Sequence, residues 1–301
     1  MTDKNLSGDV IILINPPFKP GYEYAEEKSS YPPMGILSVG TVLENAGYKV
    51  AIVDAAVDSG YILTLKKIFQ STASSGGRII FAGLSVMTAQ ISPALEISAK
   101  IREWAPSVPV VWGGIHPTLF PSNTCQHELI DIVVVREGEM TALELAEAIK
   151  NGQTPPENVK GIFWKDKKGK IYSTAERELA DINAIPPFNF NILSDINRYI
   201  NYDMSFVGGR KLLGGAIAIR KSLPILAGLG CPYRCSFCIN AILKKKYRCK
   251  KAELIVSEIE TLMAKYGAND FGMIDEDFFA SRPRVEEFLE LVEKKGLKFS
   301  W

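Results

Sequence analysis

Residues 9–17 read DVIILINPP, five consecutive apolar residues, all but one β-branched, between an aspartate and a double proline. A run that is apolar at every position serves both faces of a pleated strand. It therefore indicates a strand buried in a parallel sheet, not the half-solvated alternation of an antiparallel one. Runs of the same kind recur at 50–53, 79–84, 108–112 and 132–135, each bounded by Gly, Pro or Asp. Amphipathic segments lie between them, clearest at 93–104 and 141–150, the latter with Leu143, Leu145, Ala146 and Ile149 on one face. This alternation predicts an α/β fold, a doubly wound five-stranded parallel sheet spanning 1–152.

Beyond residue 152 the texture changes. NGQTPPEN is a turn-rich break, and GIFWKDKKGKIYS reads as a β-hairpin turning at 167–169. The hairpin opens a linker, 153–222, that also holds the Pro186–Pro187 pair, FNFN, and glycine pairs at 208–209 and 214–215. From 223 the alternation resumes: strand 223–227, a cysteine-bearing loop, helix 252–266, strand 271–274, helix 283–295 and strand 298–301. The 71 residues from Cys231 onward hold two strand–helix units and one further strand. The expectation is that 301 residues are the N-terminal portion of a longer enzyme, and that turnover needs residues beyond Trp301.

Composition narrows the function classes. With 47% apolar and 23% charged residues the chain can bury a core, so wholesale disorder is excluded. Lys plus Arg number 35 against 34 Asp plus Glu, a net charge of +1, which leaves no global field for a polyanion and makes nucleic acid a poor partner. No apolar stretch reaches the roughly 18 residues of a membrane span, and the opening MTDKNLSG lacks the apolar core of a signal peptide. A reducing, cytoplasmic setting is expected.

Three of the five cysteines crowd into Cys231-Pro-Tyr-Arg-Cys235-Ser-Phe-Cys238, directly after an expected strand. Thiols at i, i+4 and i+7 are too close for ordinary disulfides between separate elements and suit a metal. A structural zinc would need a fourth ligand, for which Cys249 is the available thiol. A cubane iron–sulfur cluster can leave one iron without a protein ligand, open to a substrate. In the first domain, the strand ends carry Asn15-Pro16-Pro17, Asp54, Ser85 with Thr88, Gly113-Gly114-Ile115-His116, and Glu137-Gly138-Glu139, while Pro33 and Gly35 lie at the first helix. No GxGxxG turn comes after the first strand, so a dinucleotide is weakly supported. Nucleotide, flavin, cobalamin or no ligand remain open on the residues alone.

At the cysteine motif the chain resembles the radical S-adenosylmethionine superfamily, and the strand-end series resembles the cobalamin-binding domain fused ahead of many such barrels. The resemblance implies that residues 223–301 begin a partial (β/α) barrel. It implies that Cys231, Cys235 and Cys238 ligate a 4Fe-4S cluster whose fourth iron takes S-adenosylmethionine. Phe237, Asp275 and Glu276 would then meet S-adenosylmethionine, with Asp277 a helix cap. Asn15, Pro16, Pro33, Gly35, Asp54, Ser85, Thr88, Gly113, Gly114, Gly138 and Glu139 would line a cobalamin seat. The family's DxHxxG histidine is missing after the first strand, and His116 reads as a loop residue and not a cobalt ligand. Two departures stand out: Leu229 where relatives often have Arg, and Arg136 where they often have Gly before Glu-Gly-Glu. The implied activity is reductive cleavage of S-adenosylmethionine to a 5′-deoxyadenosyl radical, for methyl transfer to an unactivated carbon or phosphorus. A radical cyclase or rearrangement enzyme, or a non-catalytic cobalamin or redox sensor, are the alternatives. Partners would be a small-molecule or peptide substrate and an electron donor such as flavodoxin or ferredoxin.

Overall fold

The apolar runs do form strands, and their order follows from covering both faces of one sheet. The computed structural model describes residues 6–18, 31–154, 156–200, 221–243 and 246–301. The glycine pairs at 208–209 and 214–215 lie outside them. In chain order the first elements are β1 Asp9–Asn15, α1 Met34–Asn45, β2 Lys49–Asp54, α2 Tyr61–Ser74, β3 Arg78–Ser85 and α3 Ile91–Trp104. Next come β4 Val110–Gly113, α4 Ile115–Leu119, α5 Pro121–Gln126, β5 Ile132–Val134, α6 Glu139–Lys150, β6 Ile162–Lys165 and β7 Ile171–Ser173. Val10 to Ile14 of β1 are all buried, as an apolar-on-both-faces strand requires. Val10, Ile12 and Ile14 join Leu65 and Phe69 of α2 and Ile97 and Ile101 of α3 in one core layer. On the other face Leu13 approaches Gly40 of α1 so closely that a methyl at Gly40 would lie 3.3 Å from its Cδ1.

The sheet order is β2-β1-β3-β4-β5-β6-β7. The expected five strands are present and parallel, but the sheet does not stop at five. The hairpin expected in the linker adds β6 antiparallel to β5, with Ile132 opposite Trp164, and β7 antiparallel to β6. The fold is therefore a mixed seven-stranded sheet with a parallel core. The physical reason is edge protection: β5 is short and apolar, and β6 covers its open hydrogen-bonding edge with buried Ile162 and Trp164. The turn is as the sequence suggests, with Gly169 at φ +79° and its amide donating to the Asp166 carbonyl at 3.0 Å.

The later elements are β8 Ser222–Ile225, β9 Gly228–Leu229, α7 Ile239–Leu243, β10 Arg248–Cys249, α8 Ala252–Tyr266, β11 Asp270–Met273 and α9 Arg282–Lys294. β8 and β11 pair in parallel, and Ser300 bridges in parallel to Asp270 where a further strand was expected. The expected strand 223–227 ends at Ile225, and past it β9 pairs antiparallel with β10, an element that a two-residue run does not announce. The chain divides into two compact units. Residues 6–18, Pro32–Leu179 and Asn189–Ser194 make the first; Tyr31, Ala180–Phe188 and the described part of Asp195–Trp301 make the second. Among the described residues no helix is long and apolar enough to cross a membrane.

Candidate functional site

In the first unit, register places the strand ends at one level. Asn15 faces Asp54 across β1 and β2, Ile14 faces Leu84, and Ser85 faces Gly113 across β3 and β4. All the strand-end candidates therefore lie along the carboxyl edge of the parallel core, where ligands of such sheets collect. The loops after β3 and β4 are clasped by backbone bonds, Val86 N–H to the Gly113 carbonyl at 2.8 Å and His116 N–H to the Val86 carbonyl at 3.0 Å. That clasp dictates Gly114: its φ is +97°, and a Cβ would stand 2.8 Å from the Val86 nitrogen. Gly113 differs. A methyl there meets only Val134 at 3.8 Å, and one at the exposed Gly35 comes no closer than 4.0 Å to Ser85 Oγ. Packing within the chain does not require glycine at either place. This fits a bulky ligand approaching backbone.

The polar candidates divide into held and presented groups. Asn15 Nδ2 donates to Asp54 Oδ1 at 2.8 Å, Asp54 Oδ1 also accepts from the Ala56 amide at 3.1 Å, and Pro16 is buried. Ser38 Oγ donates to Glu139 Oε1 at 2.7 Å, joining α1 to the first turn of α6. Pro33 precedes α1, its carbonyl accepting from Leu37 N–H at 2.9 Å, and Gly138 precedes α6, where a Cβ would press Val39 Cγ2 at 3.2 Å. Thr88 is exposed, with its Oγ1 3.3 Å from His116 Nδ1, and burial lowers the His116 pKa so that the ring favours its neutral form. Arg136 stands at φ +64°, its amide donating to Thr118 Oγ1 at 2.9 Å and its guanidinium 2.6 Å from Glu176. Sequence reasoning missed Ser38, Thr118 and Gln90; nothing in their local spacing distinguishes them from surface polar residues.

In the second unit the cysteine loop leaves β9 through Gly230, at φ +75°, where a Cβ would fall 2.5 Å from the Lys246 carbonyl oxygen. Cys238 N–H donates to the Cys235 carbonyl at 3.0 Å, just before α7 begins. Cys231, Cys235 and Cys238 are free thiols, Cys235 exposed and the other two half-buried. Among the described residues no three His, Cys, Asp or Glu side chains are drawn together as a metal centre, so the loop carries the donors on one short stretch without having gathered them. Three thiolates on one exposed loop suit a soft-metal cluster in donor chemistry. Phe237 is 92% exposed and takes no part in a core.

Behind the loop, Asp275 lies with its side chain 1% exposed against Arg284 of α9, Oδ2 to Nη2 at 3.3 Å. Arg284 also donates to the carbonyls of Ala227 (2.9 Å) and Phe278, and its guanidinium lies 4.3 Å from the Phe278 ring centre. Burial raises the Asp275 pKa, and the Arg284 charge opposes it. Gly228 makes room for this carboxylate, since a Cβ would meet Oδ2 at 2.5 Å. Of the two acids carried over to S-adenosylmethionine, Asp275 is thus held inside the fold and Glu276 is exposed. Asp277 caps the turn Phe278–Ala280, accepting from Phe279 N–H at 3.1 Å. Cys249 lies in β10 opposite Gly228, and the Tyr247 phenol, with burial the largest cause and Cys249 a lesser one, is pushed up to about 12.

Residues 25–146 match the B12 binding domain. The chain is 28% identical to the anaerobic magnesium-protoporphyrin IX monomethyl ester cyclase of Rubrivivax gelatinosus, over 97% of this chain and 49% of that one. It is 22% identical to cytidylyl-2-hydroxyethylphosphonate methyltransferase of Streptomyces wedmorensis, over 89% of this chain and 55% of that one. Among solved structures, the radical S-adenosylmethionine methyltransferase TsrM from Kitasatospora setae superposes with a TM-score of 0.69 at 20% identity, covering 95% of this chain and 51% of that one. The cobalamin-dependent S-adenosylmethionine radical enzyme OxsB superposes with a TM-score of 0.73 at 18% identity, over 96% of this chain and 38% of that one. The chain spans about half the length of the curated relatives it matches. Over residues 25–146 the chain matches the B12 binding domain, and it shares its fold with solved radical S-adenosylmethionine enzymes, the cobalamin-dependent OxsB among them.

Proposed function

We propose that this protein works as a cobalamin-dependent radical S-adenosylmethionine enzyme that transfers a methyl group to an unactivated carbon or phosphorus centre of a small-molecule or peptide substrate. The observation that carries the reading is the pairing of three free thiols on one loop with a strand-end edge that leaves room at Gly35 and Gly113. When bound, a 4Fe-4S cluster supplies the electron that splits S-adenosylmethionine into methionine and a 5′-deoxyadenosyl radical, and cobalamin carries the methyl group. Cys231, Cys235 and Cys238, as thiolates, would hold three irons and leave the fourth for the amino and carboxylate groups of S-adenosylmethionine. Phe237 offers an exposed ring for the adenine face, and Glu276 offers a carboxylate for the amino group or ribose. Asp275, locked to Arg284, steadies the strand ends behind the loop. In the first unit Ser85 and Thr88 offer hydroxyls to cobalamin. The backbone at Gly113 and Gly114 lets its bulk come close. The electron comes from a small external donor of the flavodoxin or ferredoxin class.

The test is anaerobic reconstitution of the chain with iron, sulfide and hydroxocobalamin, then metal, sulfide and cobalamin analysis. About four irons per chain, lost on replacing any one of the three cysteines by alanine, is the expected result. Zinc without iron would overturn it in favour of a zinc-stabilised module. The identity to the magnesium-protoporphyrin ester cyclase supports a second reading, ring formation with the same cofactors. Methyl groups gained by product per S-adenosylmethionine consumed separate the two.

A further inference from the structure

The group that organises the strand-end edge is none of those whose chemistry stands out in the sequence. Gln90 is 1% exposed at the end of the short helical turn Thr88–Gln90. Its Oε1 accepts from the Met87 amide at 2.9 Å, and Nε2 donates to the Pro16 carbonyl at 2.6 Å and to Asn15 Oδ1 at 3.3 Å. Both amide hydrogens are therefore used, one on the last residue of β1 and one on the loop that follows it, while the carbonyl serves the loop after β3. Asn15 passes the connection on to Asp54 at the end of β2. Thr88, two residues before Gln90, reaches His116 in the segment after β4. One buried side-chain amide thus ties the end of β1 to the loop after β3, and its bonded partner Asn15 and its chain neighbour Thr88 extend the connection to the ends of β2 and β4.

Resting on the reading that this edge holds cobalamin, we propose that Gln90 is a positioning residue that sets the level and spacing of these loops without touching the ligand. Asn15 and Asp54 belong to the same frame and act through their mutual hydrogen bond. Contact with the ligand then falls to Ser85, Thr88 and the Gly113–Gly114 backbone. Removing the buried amide leaves Met87 N–H and the Pro16 carbonyl without the bonds that fix them, and the loops are free to settle elsewhere.

The experiment is a titration of the full chain with hydroxocobalamin, reading Kd and the absorption spectrum of the bound cofactor, alongside Tm and far-ultraviolet circular dichroism. Wild type is compared with Gln90→Met, Gln90→Glu and Thr72→Val. Thr72 is a buried residue of α2 whose hydroxyl donates to the Ile68 carbonyl at 2.8 Å within that helix, and it serves as the stability control. Gln90→Met should weaken binding about tenfold, equivalent to ~1.4 kcal/mol, and alter the bound spectrum. Gln90→Glu keeps the size but turns a donor into an oxygen facing two oxygens, and should weaken binding at least as much. Thr72→Val should lower Tm with Kd and spectrum unchanged. A folded Gln90 variant with wild-type Kd and spectrum overturns the proposal; if Gln90→Met does not fold, Gln90→Glu decides. Wild type that binds no hydroxocobalamin is a different failure, of the cobalamin reading itself, and takes the proposal with it.

Discussion

Arg136 holds a left-handed backbone at φ +64°, a region where a side chain costs on the order of 1 kcal/mol relative to glycine. Its ion pair with Glu176 is partly exposed and returns little of this. Arg136→Gly should leave stability unchanged or raise it by up to ~1 kcal/mol, whereas Arg136→Val should lower it by ~1–2 kcal/mol, both read from urea unfolding. The glycine pair offers a sharper contrast. Gly114→Ala forces a Cβ to 2.8 Å from backbone at φ +97° and should cost ~2–3 kcal/mol. Gly113→Ala should leave the apo protein within ~0.5 kcal/mol of wild type and act on cobalamin affinity instead. His116 gives a pH signature. Its folded pKa is lowered by burial, so its contribution is present above the unfolded value near 6.5 and is lost as pH falls through the lowered one. Thermal scans between pH 7.5 and 5 should show wild type losing Tm relative to His116→Gln; parallel curves would refute this. Arg136 and the two glycines were visible as oddities of the sequence. The division of labour between Gly113 and Gly114 was not, because it depends on how β3 and β4 clasp.

Among the elements, α8 shows how much a helix can declare about itself. The apolar period over 252–266, Glu253 in the first turn and Lys265 in the last predict its bounds, and Gly267 at φ +63° ends it, its amide donating to Met263 at 3.0 Å. What the pattern does not declare is that Glu258, four residues past Leu254, faces inward. Lys250 and Glu258 lie 3.2 Å apart with side chains 3% and 2% exposed. Burial raises the Glu258 pKa and the Lys250 charge opposes it. Such a pair resists the loss of either partner and tolerates the loss of both. Lys250→Met or Glu258→Leu alone should cost ~3–5 kcal/mol, and the double variant clearly less than either, as a double-mutant cycle will register. The hairpin of β6 and β7 is the opposite case: its turn was legible from Lys167 to Gly169, but its docking on β5 was not. A two-stranded hairpin carries no local mark of the strand it will join.

For the whole molecule, the two candidate seats belong to separate compact units, and ligand linkage can address them one at a time. Hydroxocobalamin at 100 times its Kd should stabilise the unit that binds it by ~2.7 kcal/mol. Replacing Cys231, Cys235 and Cys238 together by alanine should abolish iron uptake and leave that stabilisation intact, a combination checked by calorimetry on the same preparations. The sequence by itself determined the strand–helix alternation, the parallel core, the ends of α8 and the cysteine loop, because periodicity, capping and spacing are properties of neighbouring residues. The tertiary structure alone decided which strand-end groups are spent on one another and which are presented. Asn15 meets Asp54 across 39 positions and Gln90 meets Asn15 across 75. It also decided that Asp275 turns inward to Arg284 while Glu276 faces out, and that the sheet continues to a sixth and seventh strand. Each depends on a partner outside the local pattern, from nine positions away for Asp275 and Arg284 to 75 for Gln90 and Asn15, and hydrogen-bond satisfaction of buried groups selects that partner only once the packed elements have brought the candidates together.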